Sequence, residues 1–152
     1  MFCYLGIIFA IVFFTRLLAY WGISVLQGRG DITVIPKILY LSYVENRGAA
    51  FGIFQDAKIF LIVVAVVLFM LITYYVVSQR KNLKSRLVIP LAMIAGGGIS
   101  NVADRLSFGY VVDYIDFRVI HYPVFNLADI CVVLGFVWLF GYILFSKDTK
   151  KQ

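Results

Sequence analysis

Two aspartates stand in apolar surroundings that could turn them into a catalytic pair. Asp113 is embedded in the segment Val111–Ile115, and Asp129 is followed directly by Ile130 and Cys131. Burial raises the pKa of a carboxyl group, and a second carboxylate nearby raises one of the two further. Two carboxyl groups that share a proton can act together, one as a base on water and the other as a proton donor to a carbonyl oxygen. The two residues are therefore candidates for a catalytic acid–base pair.

Each charged candidate also has a structural explanation. Asp129 could simply stabilise the N-terminus of its helix through the helix dipole. Asp113 could end a strand or a turn and pair with Arg118. Asp104, beside Arg105, could form an ion pair or a helix cap. Spacing alone leaves these alternatives open.

Several further candidate site residues also have a structural explanation. Asn46 and Asn126 could be turn residues, and Gly48 and Gly52 could serve only the shape of the backbone. His121 is the sole histidine and has no cysteine or other histidine near it in the sequence. Neither a metal site nor a cofactor is therefore expected.

The composition indicates a membrane protein. Of 152 residues, 62% are hydrophobic and only 14% are charged, against about 25% in a typical soluble domain. The net charge of +6 could point to nucleic acid, but the basic residues flank apolar segments, as expected beside a bilayer. We therefore expect one membrane domain over 1–152 and no nucleic-acid partner. The flanking residues are Arg80, Lys81, Lys84, Arg86, Lys147, Lys150 and Lys151.

Four transmembrane spans are predicted from the apolar segments. Ile59–Gln79 contains no charged residue and is long enough to cross about 30 Å of hydrocarbon. The third span contains Pro90 and the glycines Gly96–Gly98, which allow helices in a membrane to approach closely. The predicted spans are 3–23, 59–79, 87–103 and 130–146, with long loops at 24–57 and 104–129.

The arrangement of basic residues predicts the orientation. Four spans place both termini on one side, together with the short basic loop Arg80–Arg86. The positive-inside rule makes that side cytoplasmic. The polar candidates then gather at the outer face, which is costly near a membrane unless they have a function. They are Asn46, Gly48, Asn101, Asp104, Arg105, Asp113, Asn126 and Asp129.

The two outer loops contain strand patterns. Apolar residues alternate in Ile32–Val34 and again in Leu39–Tyr43, with Pro36 between them, which predicts a strand pair. Val111–Ile115 predicts another short strand, followed by a turn at Pro123. The expected fold is an α-helical membrane protein of four transmembrane helices, with a small β-sheet formed by the outer loops at the membrane surface.

With these motifs together, the chain resembles the lipoprotein signal peptidases (signal peptidase II), the bacterial membrane aspartyl proteases. The order of the motifs, their spacing and the four-span layout all agree with that family, over nearly the whole chain. The matching blocks are Asn46-Arg47-Gly48-Ala49-Ala50-Phe51, Gly96-Gly97-Gly98-Ile99-Ser100-Asn101-Val102-Ala103-Asp104-Arg105, Val111-Val112-Asp113-Tyr114 and Phe125-Asn126-Leu127-Ala128-Asp129.

The resemblance implies roles and a reaction. Asp113 and Asp129 would be the catalytic pair of an aspartyl endopeptidase in the bacterial cytoplasmic membrane, expected to be a monomer. The enzyme would remove signal peptides from prolipoproteins by cutting on the amino side of a diacylglyceryl-modified cysteine. Its partners would be these substrates and membrane lipid. The residues expected to shape the site and hold the substrate are Asn46, Gly48, Asn101, Asp104, Arg105 and Asn126.

The first span departs from the family pattern, which usually has an Asp-Xaa-Xaa-Ser/Thr-Lys element there. Thr15 occupies the acid position and Ala19 the lysine position, while Arg16 fits a common variant. Ser100 replaces the last glycine before Asn101. These departures concern positions outside the expected catalytic pair.

Two other functions are compatible with a four-span protein. A catalytically impaired relative of the same fold could bind lipoprotein or lipid, and only the changes at Thr15 and Ala19 support it. A small transporter could relay protons through paired carboxylates, but no acidic residue lies within the second or third span to continue a path. The retention of both Asp113 and Asp129 favours the peptidase.

Overall fold

Four long apolar helices dominate the part of the chain that the computed structural model describes, residues 1–49, 53–120 and 122–145. All four are long and apolar enough to cross a membrane, so the predicted four-span fold is confirmed. Gly52, His121 and the C-terminal lysines of the sequence argument lie outside the described residues. The helices are α1 (Phe2–Leu26), α2 (Lys58–Ser78), α3 (Ser85–Phe108) and α4 (Leu127–Phe145).

The outer surface of the helices is apolar. Phe9, Ile59 and Phe140 are 72%, 77% and 64% exposed. A water-soluble protein rarely exposes so large a continuous apolar surface. These side chains therefore face the acyl chains of a bilayer, and the protein is a multi-pass membrane protein.

Two helix ends differ from the sequence prediction in a way that matters for the site. α3 continues past residue 103 and stops at Gly109, whose φ of 91° gives the left-handed conformation that ends many helices. Asp104 and Arg105 therefore lie in the last turns of α3 and not in a loop. α4 begins at Leu127, so Asp129 belongs to its first turn.

The third helix is the centre of the bundle, because its small residues let the neighbouring helices approach. α3 packs against α1, α2 and α4. A Cβ atom at Gly96 would lie 3.3 Å from the Ile8 Cα atom of α1. A Cβ atom at Gly97 would lie 2.5 Å from the Ala128 carbonyl oxygen of α4. The glycine motif of the sequence thus joins α3 to two helices at once.

The glycine motif allows a matched pair of substitutions. Gly97→Ala should lower the thermal stability strongly, since the new methyl group overlaps the Ala128 carbonyl and no flexible side chain can give way. Gly98→Ala should be neutral or stabilising by up to about 1 kcal/mol, because alanine favours helix and nothing lies within 4 Å of that position. Thermal unfolding of the two purified variants in detergent checks this. Equal melting temperatures would contradict the packing described here.

A three-stranded antiparallel sheet covers one end of the bundle. Its strands are β1 (Ile32–Ile35), β2 (Leu39–Asn46) and β3 (Val111–Phe117), in the order β1-β2-β3. The predicted strand pair and the third strand are both confirmed. Val112 and Tyr114 of β3 pack with Ala19 and Leu26 of α1 in one buried cluster. This packing fixes the height of β3 against the helices.

An arginine holds the far edge of the sheet together. Arg118 forms ion pairs with Asp116 of β3 and with Asp31, which precedes β1. Its guanidinium carbon lies 3.9 Å from the ring centroid of Tyr40. Hydrogen bonding to Arg118 lowers the pKa of Asp31 below its ordinary value. The alternative in which Arg118 pairs with Asp113 is wrong.

Candidate active site

A cavity lies where the sheet meets the ends of α3 and α4. Its volume is about 460 Å³. Side chains from β2, α3, β3 and α4 contribute to its wall, so no single element builds the site. The polar candidates that line it are Asn46, Asn101, Arg105, Asp113 and Asp129.

Asp113 points from β3 into this cavity and is held by two amides. Its side chain is almost fully buried, with 1% of the residue exposed. Asn46 Nδ2 donates to one carboxyl oxygen at 2.9 Å, and Asn126 Nδ2 donates to the other at 2.7 Å. Both oxygens thus have a fixed donor, which sets the plane of the carboxyl group.

Asp129 lies in the first turn of α4 and is fixed by the start of that helix. Its Oδ2 accepts from the backbone N–H of Asn126 at 3.2 Å, and Asn126 Oδ1 accepts from the backbone N–H of Asp129 at 3.0 Å. This reciprocal pair is a capping box. Asn101 Nδ2 donates to the remaining oxygen at 2.8 Å. Asp129 therefore stabilises the N-terminus of α4 and also lines the cavity.

Asn126 connects the two aspartates. Its side chain donates to the Asp113 carboxyl group through Nδ2 and accepts from the backbone N–H of Asp129 through Oδ1. Its Nδ2 also lies 3.3 Å from Asn101 Oδ1. Because Asn126 is 4% exposed, water competes little for these bonds. Asn126 therefore fixes the Asp113 carboxyl group through its side chain and the Asp129 carboxyl group through its backbone N–H.

A buried arginine places positive charge beside the pair and fixes the loop after β2. Arg105 is 8% exposed and donates to the Gly48 carbonyl at 2.6 Å and to the Asn101 carbonyl at 3.3 Å. The Gly48 N–H donates to Asn46 Oδ1 at 3.0 Å. A Cβ atom at Gly48 would lie 2.6 Å from the Ile53 carbonyl, so only glycine fits there. Arg105 thereby holds Asn46 in reach of Asp113.

Asp104 does form an ion pair, but its partner is on another helix. Its carboxylate pairs with Arg16 of α1 and accepts from the Val112 N–H at 3.2 Å. Val112 directly precedes Asp113 in β3. Asp104 therefore supports the site from behind, outside the cavity lining.

The surroundings of Asp113 raise its pKa to about 7. The largest cause is burial, followed by the charge of Asp129; the hydrogen bonds from Asn46 and Asn126 and the charge of Arg105 oppose the shift. A carboxyl group that titrates near neutrality can exchange a proton at physiological pH. This is the property that proton transfer during hydrolysis requires.

Comparison with known proteins identifies one family. The family model described as "Signal peptidase (SPase) II" matches residues 7–145. The chain belongs to the signal peptidase II family. Among its relatives, the lipoprotein signal peptidase of Clostridioides difficile (strain 630) is 39% identical over 148 residues, covering 97% of this chain and 99% of the relative. That of Clostridium tetani is 42% identical over 132 residues, covering 85% and 84%.

Solved structures agree with this signal peptidase II assignment at the level of the fold. A bacterial membrane enzyme determined by the in meso method at 2.3 Å resolution is 23% identical. It superimposes with a TM-score of 0.86 over 100% of this chain and 93% of that structure. A second such structure, at 1.9 Å resolution, is 25% identical with a TM-score of 0.82, over 98% and 96%.

The signal peptidase II motifs converge in space, although they are far apart in the sequence. Asn46, Asn101, Arg105 and the two aspartates line the cavity. Of the residues expected to shape the site, Gly48 and Asn126 contact these side chains directly, and Asp104 lies behind them. Their individual roles stay predictions.

Sequence reasoning missed three contributions to this signal peptidase II site. The spacing of Asn126 and Asp129 is that of an N-cap and the third helix position, so the capping box was visible in the sequence. The ion pair of Arg16 with Asp104 and the hydrogen bond between Thr15 and Ser100 left no local signal.

The raised pKa of Asp113 predicts that the stability of this protein depends on pH. Between the ordinary value of 3.8 and about 7, the folded protein binds this proton more tightly than the unfolded chain does. Stability should therefore fall as the pH rises from about 4 to about 7 and level off above that. Asp113→Asn lacks the titrating group and should show a smaller fall. Melting temperatures in detergent across this range test the prediction, and equal slopes for both proteins would refute it.

Proposed function

We propose that this protein is an aspartyl endopeptidase that removes signal peptides from prolipoproteins. It would cleave on the amino side of a cysteine that carries diacylglyceryl. The observation that supports this most directly is the pair Asp113 and Asp129, joined through Asn126 in one cavity. Membership of the signal peptidase II family and the names of the relatives support the substrate class.

The proposed reaction is hydrolysis of one peptide bond by two carboxyl groups that share a proton. The ionised carboxylate takes a proton from a water molecule while the water oxygen attacks the scissile carbonyl carbon. The protonated partner donates its proton to the carbonyl oxygen, giving a tetrahedral gem-diol. The C–N bond then breaks as one carboxyl group donates a proton to the amide nitrogen and the other carboxylate takes a proton from a gem-diol hydroxyl, which restores the shared proton. The products are a signal peptide with a new carboxylate and a lipoprotein with a free amino-terminal cysteine.

The asparagines and Arg105 keep the pair ready for this reaction. The carboxyl oxygens of the two aspartates accept hydrogen bonds from the side-chain amides of Asn46, Asn101 and Asn126. The carboxyl groups therefore need little reorganisation when the substrate arrives. Arg105 limits the rise of the Asp113 pKa. The positive charge therefore keeps one carboxylate available in the ionised form that activates water.

The location of the cavity supports a lipid-anchored substrate. The cavity lies at the ends of α3 and α4, beneath the sheet, so a scissile bond must reach that depth. A diacylglyceryl group partitions into the bilayer, at about 0.8 kcal/mol for each buried CH₂ group, and holds the bond at a fixed height. The residue before the cleavage point must be small, because two carboxyl groups and a water molecule must reach the same carbonyl.

Cleavage of a purified substrate tests this function. The purified protein should cleave a diacylglyceryl-modified prolipoprotein and release a peptide that ends directly before the modified cysteine, as mass spectrometry can show. The matched control is the same prolipoprotein without the lipid, which should be cleaved poorly. Tight binding of the modified substrate without any cleavage would instead identify the binding relative. Nothing in the described residues favours that alternative.

We further propose that both termini face the cytoplasm and that the cavity opens at the outer face of the bacterial cytoplasmic membrane. The cavity lies at the end of the bundle opposite the loop between α2 and α3. That loop carries Arg80 and Lys81, and α3 begins with Ser85 followed by Arg86. This cluster should remain inside.

Cysteine labelling tests the orientation. In a background with Cys3 and Cys131 replaced by alanine, Asn82→Cys should be protected from a membrane-impermeant thiol reagent in intact cells. Arg29→Cys, at the opposite end of the bundle, should react. Both positions are exposed on the protein surface, so access depends on the side of the membrane. The reverse pattern would overturn the proposed topology.

A further inference from the structure

Two buried hydroxyl groups join α1 to α3 just behind the cavity. Thr15 and Ser100 are 6% and 2% exposed, and their hydroxyl oxygens are hydrogen-bonded to each other. Thr15 Oγ1 also donates to the Ile11 carbonyl at 2.7 Å. A hydroxyl has only one hydrogen to donate, so Thr15 accepts the hydrogen of Ser100. Both residues are positions at which the sequence departs from the pattern it resembles, and here they are partners.

Ser100 is adjacent to a residue of the site. The next residue, Asn101, donates from Nδ2 to Asp129 Oδ1 at 2.8 Å. Both residues belong to α3, so a rotation of this helix that moves Ser100 also moves the Asn101 amide. The position of Ser100 and the orientation of Asp129 are thus coupled through one residue.

The turn of α3 directly before Ser100 lacks side chains that could fix its rotation. Residues 96–98 are all glycine, and nothing lies within 4 Å of a Cβ atom at Gly98. Close backbone contacts at Gly96 and Gly97 set the distance to the neighbouring helices, but a smooth glycine surface gives little resistance to rotation or sliding. A hydrogen bond is directional. The bond from Ser100 to Thr15 therefore supplies the rotational restraint that the glycines lack.

We propose that Thr15 and Ser100 are positioning residues for catalysis: their hydrogen bond sets the rotation of α3 and so holds Asn101 against Asp129. The proposal rests on the proposed function, since it assumes that the carboxyl group of Asp129 takes part in cleavage. It assigns the first transmembrane helix a role in the reaction, although no atom of Thr15 needs to contact the substrate.

Breaking this bond should disturb orientation more than stability. In Thr15→Val, the Ser100 hydroxyl can turn back to the carbonyl four residues earlier in its own helix, as serine commonly does. In Ser100→Ala, the Thr15 hydroxyl keeps the Ile11 carbonyl as its acceptor. Neither variant leaves a buried donor without an acceptor. Activity and stability can therefore be separated.

Steady-state kinetics on the lipid-modified prolipoprotein, normalised to folded enzyme, test the proposal. Thr15→Val and Ser100→Ala should each lower kcat by about tenfold with KM within about twofold, because a misplaced group slows the chemical step. The double variant should be no slower than the slower single variant, since both remove the same bond. Thr15→Ser keeps the hydroxyl group and should retain the wild-type kcat.

The other end of α1 provides a matched control. Thr73 of α2 forms a hydrogen bond of 2.9 Å with the hydroxyl of Tyr4 of α1. Thr73→Val also removes a threonine hydroxyl bonded to α1, but at the end of the bundle away from the cavity. It should lower the melting temperature slightly and leave kcat unchanged.

The outcomes separate this proposal from the proposed function. Wild-type protein that fails to cleave the substrate would refute the function itself. An active wild type with unchanged kcat in Thr15→Val would refute the positioning role alone, as would an equal loss of kcat in Thr73→Val. If Thr15→Val does not fold, the kcat of Ser100→Ala decides the question in the same way.

Discussion

Asp113→Asn and Asp129→Asn should each reduce kcat by about 10³-fold or more while the protein still folds and binds the lipid-modified substrate. Asparagine has nearly the shape of aspartate, but it cannot exchange a proton near neutral pH. Proton transfer by a positioned side chain contributes about 10²–10⁴-fold, and here two such groups share one proton. Each substitution removes the shared proton and leaves the cavity wall in place.

The double variant Asp113→Asn/Asp129→Asn should be hardly slower than either single variant. Groups that act as one unit are lost together once either is missing. Two aspartates that contributed independently would instead give multiplied losses. The measurement is single-turnover cleavage by correctly folded protein, and the difference between additive and non-additive loss is large.

A nearby aspartate of the same strand provides the control. Asp116 is also buried, at 9% exposure, but it binds Arg118 and Ser42 and does not line the cavity. Asp116→Asn should keep most of the activity. The activity of Asp104→Asn should lie between those of Asp113→Asn and Asp116→Asn, since Asp104 accepts a hydrogen bond from the Val112 N–H but does not face the cavity. If Asp113→Asn kept a tenth of the wild-type rate while Asp104→Asn was inactive, the proposed pair would be wrong.

Asp113→Asn also changes the hydrogen bonds that Asp113 makes with its two amide donors. Asp113 accepts hydrogen bonds on both oxygens, from Asn46 and from Asn126. An asparagine can accept on only one atom and presents an NH₂ group to the other donor. We therefore expect a modest loss of stability in this variant, so rates must be normalised to folded protein.

The transmembrane helices were predictable because the bilayer fixes their length and composition. The predicted second span, 59–79, differs from α2 (Lys58–Ser78) by one residue at each end. The C-terminal end of α3 was not predicted, because it depends on contacts with other segments of the chain. Asp104 and Arg105 are charged and were assigned to a loop, yet partners in other segments, including Arg16 and Gly48, satisfy them inside the helix.

The alternation of apolar residues predicted the strands but could not predict their register. Val44 pairs with Asp113, and Leu41 pairs with Ile115, with an irregularity between Leu41 and Val44. This irregularity decides which residues of β2 reach the cavity, and it depends on contacts between segments. The partners Thr15 and Ser100 are 85 positions apart, so local patterns carried no information about their hydrogen bond.

Arg105 should be the next most sensitive residue of the site after the two aspartates. Its guanidinium reaches two carbonyl groups in different segments, those of Gly48 and Asn101, and its charge lowers the pKa of Asp113. Arg105→Gln removes both contributions. We expect kcat to fall by about 10²-fold, the size of loss that a displaced catalytic group can cause.

The pH–rate profile separates the charge of Arg105 from its hydrogen bonds. Without the positive charge, the pKa of Asp113 should rise further above about 7, because the ionised form loses a favourable neighbour. The limb of the kcat/KM profile that reports the ionisation of Asp113 should therefore move to higher pH in Arg105→Gln. Arg105→Lys keeps the charge but cannot reach both carbonyls, so it should lose rate with little shift of the limb.

Arg29→Gln is the matched control for the change in net charge, since Arg29 is exposed at the same end of the bundle. It should leave both the rate and the pH profile unchanged. If Arg105→Gln cleaved at a third of the wild-type rate and its pH profile did not shift, Arg105 would neither position the loop nor tune the pair. If Arg105→Lys shifted the limb as far as Arg105→Gln, the shift would come from displacement of Asn46 and Asn101, because the charge is still present in that variant.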